Sequence, residues 1–418
     1  MLVFKFGGAS VKDVDGIVNL ADVVKGFSDK QLLIVVSAMG KTTNALEKLT
    51  KAYVEQTDNL HEVFEEVKKY HYDIIAQLFD ASHSVFDEVA NTFVEIDWLI
   101  EDEPHDDYDF IYDQLVSIGE LVSTRIVNAY LNQSGLKSQW LDVRSYIHTD
   151  NTYREGVVQW DKTCTSINRD IPKLLQKGIV VTQGFLGGTS ENFTTTLGRE
   201  GSDYTASIFA SCLGAESVTT WKDVPGILNA DPKFFKDTVK FDELSYSEAI
   251  EMTYYGASVI HPKTIKPLQN ANIPLLVKSF TDPDEPGTII SGTSINKFIK
   301  PVVILKQNQV LLSISAKDYS FISENHLSEI FGLFAQHKVK VNMMQTSALS
   351  FTVCIDFYDS RFKKLLLSLA EYFKVKYNEG LTLITVRHYS PGFIKALTEG
   401  KIIILEQISR NTMQIVIK

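Results

Sequence analysis

Thr195-Thr196-Leu197-Gly198-Arg199-Glu200-Gly201-Ser202-Asp203-Tyr204-Thr205 follows the apolar run from Gly178 to Gly184 and leads into Ala206-Ser-Ile-Phe-Ala-Ser-Cys-Leu213. The order is a buried strand, a loop of glycines and hydroxyls, and a helix. The unpaired N–H groups and the dipole at such a helix start suit a carboxylate or a phosphate. Arg199 brings a planar fork that matches a carboxylate through two hydrogen bonds. Ser202 and Thr205 stand where capping hydroxyls are expected. A capped helix with a solvent-facing Arg199 satisfies the same pattern, so the decision falls to the rest of the chain.

The arrangement recurs upstream. Leu2-Val-Phe-Lys5-Phe6 is an apolar run broken only by Lys5, and Gly7-Gly8-Ala9-Ser10 follows at once. A lysine inside a buried strand is costly unless a negative group pairs with it, so Lys5 marks either a structural ion pair or a phosphate contact. The glycines let a ligand approach the backbone, and Ser10 can donate to an anion. The spacing is not the G-x-x-x-x-G-K-[ST] of a P-loop. Gln31 to Ser37 is a second apolar strand ending in Ala38-Met-Gly40-Lys41-Thr42-Thr43-Asn44. Two such units with a helix between them make a βαβ element. Ligands of a parallel sheet bind beyond the carboxyl ends of its strands, where these loops lie.

Helices are expected from about Leu46 to Ile100, and Glu101 to Asp107 reads as a solvated loop. The helix from Asp113 to Arg125 carries Glu120 among apolar and small residues, placed for an amino group or for an ion pair with a basic neighbour. Further strands are expected at 138–143, 217–221, 273–278 and 288–291. Trp221-Lys222-Asp223-Val-Pro-Gly226-Ile-Leu228-Asn-Ala-Asp231-Pro232-Lys233 is a Pro/Gly-punctuated loop that suits ribose and phosphates, or a plain surface loop.

At 418 residues, two or three domains are expected. A hydrophobic content of 44%, with 22% charged residues, is that of globular chains, and the net charge of −11 argues against nucleic-acid or anionic-membrane surfaces. Cys164, Cys212 and Cys354 show no disulfide or metal spacing and read as buried thiols of a reducing compartment. The N-terminus lacks a signal-peptide pattern and no apolar run approaches the roughly 20 residues of a membrane span, which reads as cytoplasmic. After a turn-rich boundary at 282–287 and a connector over 292–300, short units predict βαββαβ over 300–378. A second such unit over 379–418 ends before its last helix and strand.

Together these stretches resemble the aspartate kinases of the amino-acid-kinase family. Lys5-Phe-Gly-Gly-Ala-Ser10 resembles K-F-G-G-[TA]-S, Thr195 to Asp203 resembles T-T-L-G-R-G-G-S-D, and Gly256-Ala-Ser258-Val-Ile-His-Pro262 resembles G-A-x-V-[LI]-H-P. Trp221 to Pro232 is similar to the family's nucleotide loop, and the tail resembles its tandem ACT modules. The resemblance implies an αβα sandwich with a mainly parallel sheet over 1–292, followed by α+β ACT-like (ferredoxin-like) modules at 300–378 and 379–418. It implies phosphoryl transfer from ATP, with Mg²⁺, to the β-carboxylate of L-aspartate, the first step toward lysine, threonine and methionine. An amino-acid effector, lysine or threonine, and a homodimer or higher oligomer through the ACT-like modules are implied as well.

By the same resemblance, Lys5 with Gly7 and Gly8 neutralises the transferring phosphoryl group, and Asp203 orients Lys5 or meets Mg²⁺ through water. Arg199 clamps the α-carboxylate, Glu120 pairs with the α-amino group, and Thr43 and Ser202 position the substrate. Ser10, Trp221, Lys222, Asp223, Leu228, Asp231, Pro232, Lys233 and Ser258 lie on the nucleotide side, and no dedicated protein metal site is implied. Glu200 departs from the usual glycine and is expected to point away from the anions. Ser258 departs from a frequent lysine. A same-fold kinase with another acceptor and a sensor without turnover are the alternatives. With no G-x-G-x-x-G after residue 300, a fused dehydrogenase is not expected.

Overall fold

The structure, a computed structural model, describes residues 1–257, 260–293, 301–318 and 320–418. Ser258, residues 294–300 of the expected connector and Tyr319 lie outside the described residues. The chain divides into two compact units.

The first unit is built on an eight-stranded sheet. Its strands are β1 (Leu2–Phe6), β2 (Leu32–Val36), β3 (Ser138–Leu141), β4 (Ile179–Gln183), β7 (Ser217–Lys222), β8 (Glu243–Ser245), β9 (Leu275–Ser279) and β10 (Thr288–Ser291). Their order is β3-β4-β2-β1-β7-β9-β10-β8, and every pairing is parallel except β9 with β10. The central strands are apolar on both faces: all of β2 is buried, as is most of β1. That is the pattern of a parallel sheet covered on each side. The helices are α1 (Val14–Lys25), α2 (Thr42–Val54), α3 (Leu60–Leu78), α4 (Val85–Glu101), α5 (Tyr108–Gln133), α6 (Trp160–Leu175), α7 (Gly201–Leu213), α8 (Tyr246–Tyr255) and α9 (Pro262–Ala271), of which α8 runs into the second unit. A hairpin, β5 (Leu186–Gly188) and β6 (Thr194–Thr196), stands apart from the sheet. In register, Phe6 lies between Val36 and Trp221, and Val36 also faces Gln183. The loops after β1, β2, β4 and β7 therefore leave the sheet side by side.

One expectation is overturned here. Cys164 on α6 and Cys212 on α7 form a disulfide across 48 residues of chain, and of the three cysteines only Cys354 is a buried thiol. Spacing cannot reveal such a pair, because it is the packing of α6 on α7 that joins them.

The second unit is a six-stranded antiparallel sheet in the order β12-β13-β11-β14-β16-β15. Its elements are β11 (Val302–Ala316), α10 (Glu324–Gln336), β12 (Val341–Thr346), β13 (Phe351–Asp356), α11 (Asp359–Tyr372), β14 (Phe373–Arg387), α12 (Pro391–Thr398), β15 (Ile403–Ile408) and β16 (Thr412–Ile417). The expected division after residue 378 falls inside one continuous strand. The far half of β11 pairs with β13 and with residues 373–378, making a complete βαββαβ module whose core includes Leu312, Ile330, Phe334, Val353 and Leu365. The near half, Val302 to Lys306, pairs with Leu383 to Arg387 of β14, which also pairs with β16. The second module thus recovers its fourth strand from the front of the region, and the first module is inserted into it.

Residues 228–239 and 251–257 cluster with this unit rather than with the first. Val303 N–H donates to Asn229 O at 2.8 Å, Asn229 Nδ2 donates to Pro301 O at 2.9 Å, and Ala230 joins the core of Val303, Ile384 and Ile415. Arg387 Nη1 lies 2.9 Å from Glu251 Oε2. Among the described residues, no helix is long and apolar enough to cross a membrane.

Candidate active site

The loops leaving the first unit's sheet gather an ionic cluster. Lys5 points up from β1 with 8% of its surface exposed, and its Nζ lies 2.8 Å from Asp203 Oδ1 in the first turn of α7. Lys222, at the end of β7, brings its Nζ to 3.7 Å from Asp203 Oδ2. Burial alone would raise the Asp203 carboxyl, but Lys5 and then Lys222 hold it below the ordinary range. A carboxylate 3% exposed between two cations stays ionised and fixes both ammonium groups.

Glycines keep this cluster open. A Cβ at Gly7 would meet only Lys5 Nζ, at 3.6 Å, so the space beside that ammonium is free of side chain. A Cβ at Gly8 would sit 2.6 Å from Ala38 O, which shows how closely the first two loops meet; Gly40 N–H donates to Gly8 O at 2.9 Å. Ser10 is buried in the short helical turn after Gly8, and Thr43 is half-buried in the first turn of α2.

Helix α5 brings in the other carboxylate. Glu120 is 3% exposed, accepts a hydrogen bond from Ala38 N–H, and keeps Oε2 without a hydrogen-bond partner among the described residues. Burial pushes its carboxyl up to about 8, against the pull of Ala38 N–H and Lys5. Ser123, one turn on, donates to Ser37 O at 2.7 Å, so α5 is pinned to the loop after β2. A buried carboxylate oxygen with no donor is costly in the empty protein, and a ligand ammonium would relieve it.

Sequence reading missed Asp113, which lies seven residues before Glu120, two turns along the same helix face. It is fully buried, and accepts from Arg154 N–H at 2.8 Å, Thr196 N–H at 2.9 Å and Thr196 Oγ1–H at 2.7 Å. Asp113 ties β6, and with it the approach to Arg199, to α5. Arg199 itself is exposed and has no hydrogen-bond or ion-pair partner among the described residues. Ser202 is buried against Gly184, where an added Cβ would lie 2.4 Å from Ser202 Cβ.

The nucleotide-side expectations divide. Trp221 is wholly buried, stacked on Phe6 at 6.1 Å and edge-on to Phe4 at 5.5 Å. Its ring is core, which leaves only its backbone for a ligand. Asp223 is exposed beside Lys222. Leu228 is half-buried, and exposed Asp231, Pro232 and Lys233 form a turn in which Lys233 N–H donates to Asp231 Oδ1 at 2.9 Å. These four belong to the second unit, and the ionic cluster to the first. Glu200 is half-buried at the helix N-cap: its Oε2 is shut off from solvent and has no hydrogen-bond partner among the described residues, and burial raises its carboxyl, against the pull of Lys222, Arg199 and Lys5.

Comparison with known proteins agrees with this architecture. The profile of the amino acid kinase family matches residues 1–279. Lysine-sensitive aspartokinase 3 of Escherichia coli (strain K12) is 32% identical over 394 residues, covering 92% of this chain and 86% of that protein. Aspartokinase 1, chloroplastic, of Arabidopsis thaliana is 32% identical over 363 residues, and the chain spans 63% of its length. The crystal structure of E. coli aspartokinase III in complex with aspartate and ADP matches with a TM-score of 0.86 at 29% identity, covering 100% of this chain and 96% of that one. The aspartate kinase of Clostridium acetobutylicum shares the fold, with a TM-score of 0.78 at 21% identity. The chain belongs to the amino acid kinase family and, within it, to the aspartokinases.

Proposed function

We infer that the protein is an ATP-dependent aspartate kinase that transfers a phosphoryl group to the β-carboxylate of L-aspartate, giving 4-phospho-L-aspartate and ADP. The observation that carries the residue assignment is the Lys5–Asp203–Lys222 cluster, with Lys5 and Asp203 buried, together with an unpartnered, buried Glu120 oxygen. In this reading Glu120 receives the α-ammonium, Arg199 clamps the α-carboxylate through its fork, and Thr43 and Ser202 fix the rest of the substrate. One bond forms, from a β-carboxylate oxygen to the γ-phosphorus, as the bond to ADP breaks. No general base is needed, because the acceptor is already ionised at neutral pH. Charge spreads over the equatorial phosphoryl oxygens in the transition state. Lys5 and the N–H groups of Gly7 and Gly8 oppose it, and Asp203 keeps Lys5 aimed.

The donor set also bears on Mg²⁺. Among the described residues no group of three or more His, Cys, Asp or Glu side chains could cage a metal. Mg²⁺ is commonly held by one or two carboxylates plus substrate phosphates, and it would supply charge neutralisation there. Asp203 would be the carboxylate to meet it through water, with Ser10, Lys222 and Asp223 at the same end of the sheet.

Feedback by an end-product amino acid is part of this reading, supported by the lysine-sensitive relative and the ACT-like second unit. A homodimer through the second module is proposed on its edge strand β15, where Ile403 and Ile408 are 40% and 61% exposed. The test is to trap the acyl phosphate with hydroxylamine in MgATP, with aspartate or glutamate as acceptor, and with and without lysine or threonine. Hydroxamate from aspartate alone, suppressed by one effector, supports the reading. Hydroxamate from glutamate alone would assign another acceptor, and none from either would favour a sensor.

A further inference from the structure

The segment that leads to Arg199 is fastened to helix α5 by side chains. Strand β6 has one strand neighbour, β5. The N–H and C=O groups of Thr194 and Thr196 go instead to partners outside the hairpin. Gln114 takes both groups of Thr194: its Nε2 donates to Thr194 O at 2.9 Å and its Oε1 accepts from Thr194 N–H at 3.1 Å. Asp113 accepts from the N–H and the hydroxyl of Thr196, and Gly156 N–H donates to Thr196 O at 2.8 Å. Asp113 Oδ2 also accepts from Arg154 N–H, so one oxygen sets the spacing between two distant segments of chain. Arg154 is itself tied to α5, with Nη1 3.2 Å from Asp109 Oδ1 and its guanidinium over the Tyr112 ring at 4.2 Å. Gly198, with φ of 75°, lies against this loop: an added Cβ would sit 3.2 Å from Arg154 O and 3.3 Å from Glu155 Cγ. Arg199 comes next and has no partner of its own among the described residues, so this backbone sets its place. An apolar side chain at 113 would leave two buried N–H groups without an acceptor.

We propose that Asp113 is a positioning residue of the acceptor site: it holds the β6–Gly198 segment, and through it Arg199, in fixed relation to Glu120 two turns along α5. The inference rests on the reading of Arg199 and Glu120 as the contacts of the acceptor's α-carboxylate and α-ammonium. Those two groups stand on different elements, so their separation is what a small amino acid must match. A misplacement of about 1 Å in such a pair can cost on the order of 100-fold. Asp113 is fully buried and acts through the backbone, not by contact with substrate.

The test is steady-state ADP release by the full chain, with aspartate and MgATP varied in turn, over a double-mutant cycle of Asp113→Ala and Arg199→Ala. In the parent background Asp113→Ala is expected to raise the aspartate KM at least about tenfold and to leave the ATP KM within about twofold. In the Arg199→Ala background it should add less than about twofold, because no guanidinium remains to be misplaced. A general loosening of the fold would act fully in both backgrounds. Asp113→Asn should restore an aspartate KM near that of the parent, since the amide oxygen can take both N–H groups and the amide nitrogen can donate to the Thr196 hydroxyl. Thr196→Val removes one donor to Asp113; it should raise the aspartate KM about threefold, and it replaces Asp113→Ala in the cycle should that variant not fold. An unchanged aspartate KM on removing the contact, or an effect of equal size in both backgrounds, would overturn the proposal alone. So would an asparagine variant as poor as the alanine one. An aspartate KM unchanged in Arg199→Ala would overturn the acceptor reading and the proposal with it.

Discussion

With Lys5 and Asp203 both inside the protein and 2.8 Å apart, removal of the cation leaves a buried carboxylate that only Lys222, at 3.7 Å, still neutralises closely. Lys5 therefore carries stability as well as chemistry, and Lys5→Met should cost about 3 kcal/mol of folding free energy; chemical denaturation measures it. Arg199 is different. Exposed and without an ion-pair partner among the described residues, it can change with little effect on folding. Arg199→Lys should raise the aspartate KM at least about tenfold, because the two-pronged fork is lost, while the ATP KM moves little. Equal changes in both would place Arg199 on the nucleotide.

Glu120 sets a pH dependence. Its carboxyl, pushed up to about 8 mainly by burial, is largely protonated in the empty site at pH 7, yet the ionised form is the one that receives an ammonium. The aspartate KM should fall as pH rises from 6 to 8, by up to roughly tenfold per unit, and then level off. In Glu120→Gln it should be high and flat, and a wild-type profile that is flat as well would remove Glu120 from the ammonium site. For stability the sign is the reverse of an ordinary paired carboxylate. The folded state holds this proton between about 4.5 and 8 while the unfolded chain has lost it, so this group's contribution declines as pH rises through that window. Lys5 and Asp203 were legible as charges that a buried strand and a helix start must pair. The burial of the Glu200 carboxyl was not, because it follows from a left-handed backbone at the turn.

At the scale of elements, apolar runs of five or so residues located the main strands of the first sheet, and they are the ones whose ends carry the loops. The hairpin β5–β6 and strand β8 were not legible; each is three residues long, too short for a period of two to register. The link between α6 and α7 was hidden for another reason, since residues 48 apart meet only after packing. It closes a loop that includes β4, the β5–β6 hairpin and Arg199, just ahead of the first turn of α7. Cys212→Ser should destabilise the oxidised protein by about 2–4 kcal/mol, and a reductant should then have no further effect on the variant. Identical denaturation midpoints for the oxidised parent and the variant would show that the link contributes nothing.

For the molecule as a whole, the sequence order of units was legible but their construction was not. A tail read in order ends short of a second module, whereas the chain completes that module with residues 302–306 and inserts the first module between its strands. Period-2 patterning marks strands without naming their partners. Strands β11 and β14, 15 residues each, run through both modules, so an effector bound to one shares continuous backbone with the other. The catalytic claim lies in the first unit and rests on Lys5. The most direct test is the rate of aspartate-dependent ADP release from MgATP by the parent protein and by Lys5→Met, with folding of each verified by circular dichroism. Release that requires aspartate, is not supported by glutamate, and drops at least about 100-fold in folded Lys5→Met is the predicted result. Undiminished release from the variant, or release indifferent to aspartate, would contradict it.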